Sequence, residues 1–129
     1  MSTSEAVTQG ILVRVRARYV AERSNPAEQR WFFTYTVQIA NQSDRAVQLL
    51  RRHWIITDGD GHVEHVRGDG VVGEQPRLDP GREYQYTSAC PLATPFGTMH
   101  GTYRMTTDAG EEFDAEIAPF ALSEPYGIN

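Results

Sequence analysis

Gly68-Asp69-Gly70-Val71-Val72-Gly73-Glu74-Gln75-Pro76-Arg77-Leu78-Asp79-Pro80-Gly81 is the stretch on which the fold turns. Its first six residues have the G-x-G-x-x-G spacing with which dinucleotide-binding folds bring backbone N–H groups against a pyrophosphate. In that setting the third glycine lies inside a helix whose N-terminus faces the phosphates. Here Pro76 and Pro80 follow too closely for such a helix to run, because proline lacks the N–H and clashes with the preceding turn. A doubly wound α/β unit is thereby excluded. The segment reads as a glycine-rich connection followed by a turn.

Its flanks read as β-structure. Upstream, Trp31, Phe33, Tyr35, Val37 and Ile39 share one face of a strand, with Thr34, Thr36 and Gln38 opposite. Ile11, Val13, Val15, Ala17 and Tyr19 alternate in the same way with Arg14, Arg16 and Arg18. Residues 46–57 break parity: Leu50, Trp54 and Ile56 are out of phase with Val47, Leu49 and Ile55, which a bulge or burial on both faces reconciles. Asp58-Gly59-Asp60-Gly61 is a hairpin signal, with a returning strand over 63–67. A two-residue turn there pairs Thr57 with His62 and Trp54 with His65, and sets His53 opposite Val66. Downstream, Tyr103 and Met105 share one face, and Phe113, Ala115 and Ile117 alternate with Glu112, Asp114 and Glu116. No segment has helical periodicity. About seven strands separated by turns predict an all-β, antiparallel sandwich of the fibronectin type III or immunoglobulin-like kind. Leu78-Asp79-Pro80-Gly81-Arg82-Glu83-Tyr84 has the L-x-P-G-x-x-Y spacing found before a strand in many fibronectin type III domains. There the tyrosine hydroxyl bonds backbone a few residues upstream, as in the related tyrosine corner.

The chain of 129 residues suits one domain over residues 9–122, with mobile ends at 1–8 and 123–129. Its net charge of −5 argues against nucleic acid or anionic lipid as a general partner. Cys90 is the single cysteine and no basic-plus-apolar leader opens the chain, so a reducing, cytoplasmic setting is expected. Strongly apolar runs do not exceed three residues, against roughly twenty for a membrane-spanning helix, so no helical membrane insertion is expected.

Val66-Arg67-Gly68-Asp69-Gly70-Val71-Val72-Gly73-Glu74-Gln75-Pro76, the corner at 78–84, Thr87-Ser88 and Thr94-Pro95-Phe96-Gly97-Thr98-Met99-His100-Gly101-Thr102-Tyr103 together resemble the ApaG family. The resemblance covers essentially the whole chain. It implies a fibronectin-III-like sandwich, a domain shared with eukaryotic F-box proteins and a DNA polymerase δ-interacting protein, and an association of bacterial members with cobalt resistance and magnesium efflux. With no membrane span, any such role in cobalt or magnesium homeostasis is expected to be indirect, through a partner or a regulated nucleotide.

Candidate sites each carry a functional and a structural reading. Gly68, Gly70 and Gly73, flanked by Arg67 and Arg77, are candidates to cradle a pyrophosphate or nucleotide on backbone N–H groups. Asp69 and Glu74 oppose that charge, and the same glycines serve simply to turn the chain. Phe96, between Pro95 and Gly97, is either an exposed anchor for a partner or a plug for the end of the sandwich. His62 and His65 fall on opposite strand faces, and no C-x-x-C or H-x-x-x-H occurs, so no preformed metal site is expected. Cys90 reads as a small buried thiol, and Ser88 and the carboxylates form no catalytic constellation, so neither catalytic residues nor a cofactor are expected. Arg14, Arg16 and Arg18 make a basic stripe, extended by Arg51 or Arg52, that suits an acidic partner or simply a solvated strand face. The expected function is a non-enzymatic protein-interaction module with a protein partner that the sequence does not specify. The alternative is a phosphate or nucleotide ligand on the glycine-rich loop.

Overall fold

The computed structural model describes residues 2–125 and folds them into nine strands. These are β1 (Ser2–Thr8), β2 (Ile11–Tyr19), β3 (Trp31–Asn41), β4 (Val47–Asp58), β5 (Val63–Asp69), β6 (Arg77–Leu78), β7 (Glu83–Leu92), β8 (Phe96–Thr107) and β9 (Glu112–Ser123), with two short 3-10 turns between β2 and β3. One antiparallel sheet runs β1-β2-β3-β7 and the other β5-β4-β8-β9, with β6 continuing the β5 side of β4. The expected all-β sandwich is what forms. The extra strands beyond seven are β1 and the two-residue β6.

The alternation in β3 organises the first sheet. Phe33, Val37 and Ile39 are fully buried, and Val37 lies between Val15 of β2 and Tyr86 of β7. Across the interface, the Tyr86 and Tyr103 hydroxyls hydrogen-bond in the core. In β4 the register against β8 slips between Leu49 and Arg51. That bulge reverses parity: Val47 and Leu49 face inward before it, Trp54 after it. It resolves the mixed phase of residues 46–57.

Four sequence expectations need correction. Residues 1–8 were expected to hang free, yet Ser2–Thr8 pairs along its whole length with β2, Ser2 opposite Ala17 and Thr8 opposite Ile11. Its half-buried row is Ser2, Ser4, Ala6 and Thr8, small residues without an apolar signature. Backbone pairing with β2 and close approach to β9, whose Glu116 N–H donates to the Thr8 hydroxyl at 3.0 Å, hold this strand without a hydrophobic row. At the other end, Trp31 Nε1 donates to Glu124 Oε1 at 3.0 Å, and the Glu124 N–H donates to the Pro95 carbonyl at 2.9 Å. The expected tail at 123–129 therefore begins after a tethered Glu124, and its residues 126–129 lie outside the described residues, as does Met1.

The hairpin after β4 is longer by one residue than a two-residue turn allows. Thr57 pairs with Val63, Ile55 with His65 and Trp54 with Val66. Asp58 Oδ1 accepts the N–H groups of Asp60 (2.9 Å) and His62 (3.0 Å), and Gly61 takes φ +86°. A side-chain brace followed by a left-handed residue stabilises this wider turn. Finally, what ties the corner at 78–84 is Asn41, and the Tyr84 hydroxyl makes no hydrogen bond among the described residues. Asn41 is 1% exposed and its Nδ2 donates to the carbonyls of Leu78 (2.9 Å) and Arg45 (2.7 Å).

Val37→Asp should abolish folding, because it buries an unpaired charge between two strands. Ile39→Ala should fold but lose about 2–5 kcal/mol in urea unfolding. A soluble, cooperatively melting Val37→Asp protein would show that the wrong face has been placed in the core.

Candidate functional site

Beyond the bulge, the odd-numbered residues of β4 face solvent. Pairing with β5 and β8 sets them in rows across the second sheet: Asp69–Arg51–Arg104, Arg67–His53–Thr102, His65–Ile55–His100 and Val63–Thr57–Thr98. This face changes character along its length. At one end Val63 and Phe96 are 56% and 55% exposed. Phe96 lies over the hairpin backbone, so close that a Cβ on Gly59 would come within 3.0 Å of its ring. Thr94 holds that arrangement, accepting the Gly59 N–H at 2.8 Å and donating to the Phe96 carbonyl at 2.7 Å. Phe96 therefore sits outside the sandwich and does not plug it.

At the other end is a hollow of about 410 Å³ lined by Arg51, His53, Arg67, Gly68, Thr102 and Arg104, with Arg52, Asp69 and Asp114 completing its wall. Arg104 is neutralised by Glu112 (3.0 Å) and Asp114 (3.3 Å), and Arg51 reaches Glu112 only at 3.8 Å. Arg67 has no carboxylate partner among the described residues. His53 Nε2 and His65 Nδ1 are 2.9 Å apart, so one ring donates to the other. Sequence pairing had set His53 opposite Val66; the longer hairpin places it opposite Arg67 and diagonal to His65. Loss of solvation, then the Arg67 and His65 charges, hold His53 below its ordinary 6.5.

The five residues of the expected phosphate loop do not form one site. Arg67 and Gly68 line the hollow. Gly70 and Gly73 belong to a tight turn in which Gly70 N–H donates to Leu50 O (2.8 Å), Val71 N–H to Glu74 O (2.8 Å) and Glu74 N–H to Val71 O (2.9 Å). Those three donors are thus committed to the chain itself. Gly70 has φ +64°, and a Cβ there would lie 2.3 Å from the Glu74 carbonyl oxygen. Arg77 is clamped to Asp108 at 2.6 and 3.1 Å.

Nor is the basic stripe continuous. Arg14 on the first sheet is paired with Glu5 at 2.6 Å, whereas Arg51 and Arg52 lie on the second sheet. Arg52 is directed inward, over Gly68, where its Nη1 donates to the carbonyls of Asp69 (3.0 Å) and Gly70 (2.9 Å). A Cβ on Gly68 would fall 2.8 Å from Arg52 Nη2, so the glycine leaves room for the guanidinium. Cys90 is 5% exposed, and burial, then the charge of Glu64, push its thiol up to about 12. The ligand atoms of Asp58, Asp60 and His62 lie within 4.8 Å of one another, a grouping the sequence reading did not anticipate, but Asp58 is engaged in bracing the hairpin. Sequence reading also missed Arg51, His53, Thr102 and Arg104 as neighbours. Their common face depends on where the bulge falls, and no residue type marks that position.

Fold and face together define a fibronectin-type β-sandwich scaffold with a polar hollow on the outer face of its second sheet. The chain belongs to the ApaG domain family, whose model matches residues 21–107. It is 53% identical over 126 residues to Protein ApaG of Anaeromyxobacter dehalogenans strain 2CP-C, covering 98% of this chain and 99% of that one. Protein ApaG of Methylorubrum extorquens strain PA1 is 53% identical over 122 residues, covering 95% and 94%. Among solved structures, the putative ApaA protein of Bordetella pertussis superposes with a TM-score of 0.87 at 50% identity, covering 89% of this chain and 94% of that one.

Two predictions test this geometry. Gly73→Ala should cost about 1–2 kcal/mol for its left-handed backbone, and Gly70→Ala distinctly more, because its Cβ also meets a carbonyl; urea unfolding measures both. Alkaline stability follows from buried acids. Burial is the largest cause raising Cys90 above 9.0 and Tyr35, Tyr86 and Tyr103 above 10.0. All four hold their protons more tightly folded than unfolded. The stability this contributes is complete below pH 9 and is lost as pH rises from 9 through about 12 for Cys90 and from 10 upward for the tyrosines. The Tyr35, Tyr86 and Tyr103 rings, followed individually by NMR, should therefore ionise together with loss of the β circular dichroism signal, not before it.

Proposed function

We propose that this domain is a non-enzymatic, cytoplasmic protein-interaction module that recognises an extended acidic segment on the outer face of its second sheet. The observation that carries this reading is the graded face itself: exposed Phe96 and Val63 at one end, Arg67 without a carboxylate partner among the described residues at the other, beside an edge strand. Among the described residues β5 pairs on one side only, with β4. Its other side offers backbone groups to an incoming strand, the basis of recognition by strand addition. Acidic side chains on that strand would meet Arg67 and His65, and an apolar one would meet Val63 or Phe96. Local cations on a chain of net charge −5 also orient an acidic partner toward this face.

No helix among the described residues is long and apolar enough to cross a membrane. We assign any part in cobalt or magnesium homeostasis to the bound partner, not to ion passage through this chain. Affinity capture from cell extract tests the reading. A specific partner retained by the wild type should bind at least about tenfold more weakly to Arg67→Glu and Phe96→Ala. Equal retention by all three proteins would remove this face as the recognition surface.

The convergence of Arg51, Arg67 and Gly68 favours a second reading, in which the hollow takes a phosphorylated ligand. Pyrophosphate added to labelled protein should then shift the amides of residues 51, 53, 67 and 68 saturably, and Arg67→Gln should abolish the shifts. Shifts confined to residues 70–74 would instead support ligand binding by the glycine turn.

A further inference from the structure

We propose that the cleft between the two sheets, at the side where β5 and β7 form their free edges, is a separate binding site for a small monocarboxylate with a flat apolar body. The cleft holds about 290 Å³, near the lower end of small-molecule sites. Its walls are apolar where Ile56, Val66, Pro91 and Met99 meet, and Tyr35 and Trp54 supply aromatic surface.

Two polar features there lack complements. Trp54 is 2% exposed and its indole N–H finds no acceptor among the described residues. A buried donor without a partner is costly, and native interiors leave few of them. Beside it, the half-buried Arg52 guanidinium is set only against two backbone carbonyls, at 3.0 and 2.9 Å. Among the described residues it meets no carboxylate, although its charge is felt at Tyr35, Tyr86 and Tyr103. A cation held in so little water attracts an anion. In the proposed complex one carboxylate accepts from both residues, which line the same cleft. Glu64 stands exposed at the mouth and repels further negative charge, which favours a single carboxylate over a phosphate dianion. The site goes beyond the outer-face reading, because Trp54 and Tyr35 line this cleft and not the outer hollow, although Arg52 borders both.

The chain contains two tryptophans, which makes the test direct. The Trp31 indole already donates to Glu124 at 3.0 Å and serves as an internal reference. Sodium benzoate titrated into the nitrogen-15-labelled full chain should move the Trp54 indole and Arg52 Nε–H resonances saturably while the Trp31 indole stays still. Neutral benzamide, of the same shape, should bind at least about tenfold more weakly, and Arg52→Gln should weaken benzoate to a similar degree. Should Arg52→Gln fail to fold, the benzoate–benzamide difference in the wild type decides alone. No saturable shift of Trp54 by about 20 mM benzoate, equal binding of benzamide, or shifts confined to residues 51, 53 and 67 would each overturn the proposal; the last would return anion binding to the outer face.

Discussion

Trp54 packs against three rings: Tyr35 of the opposite sheet at 5.2 Å, and Phe120 and Tyr103 of its own sheet at 5.9 and 6.1 Å. All three contacts are edge-on, the arrangement that opposes ring edge to ring face. The rest of the molecule depends on this junction. It joins β3 to β4, β8 and β9, and Tyr86 and Tyr103 close a hydroxyl bond between the sheets beside it. It also fixes which way β4 faces. With Trp54 inward, a strand of strict alternation would turn Val47 and Leu49 outward, and the bulge after Leu49 removes that conflict. The same bulge presents Arg51 and His53 to solvent. Core packing and surface chemistry are thus set by one side chain.

How much of this was legible in the sequence depends on how each strand signals itself. β3 announces its inner face through five large residues in phase, and Phe33, Val37 and Ile39 are indeed fully buried. The proline pair after the glycines excludes a phosphate-binding helix, and none forms. β1 was missed because a strand fastened by backbone pairing to β2 and by polar contact with β9 needs no apolar row. The histidine pair was missed because one residue more or less in a hairpin moves every later partner. Asp58 widened the loop by capping two N–H groups, a geometry that the letters Asp-Gly-Asp-Gly share with the tighter turn.

The glycine motif shows how spacing and role can separate. Gly68 leaves space for Arg52, and Gly70 permits a left-handed turn against Glu74. Each has a local steric cause unconnected with phosphate. Arg67 and Gly68 nevertheless reach a site-like hollow, because β5 carries them to the same face as Arg51 and His53. Their neighbours in sequence turn away; their neighbours in register do not.

Site-specific photo-crosslinking in living cells tests the recognition face most directly. A photoreactive residue is placed at position 65 or 67 on β5, at 16 or 18 on the opposite sheet, or at 72 in the glycine turn. A recognition face on the second sheet predicts adducts to one common partner from 65 and 67, with none from 16 and 18. Adducts arising only from 16 and 18, or only from 72, would contradict it.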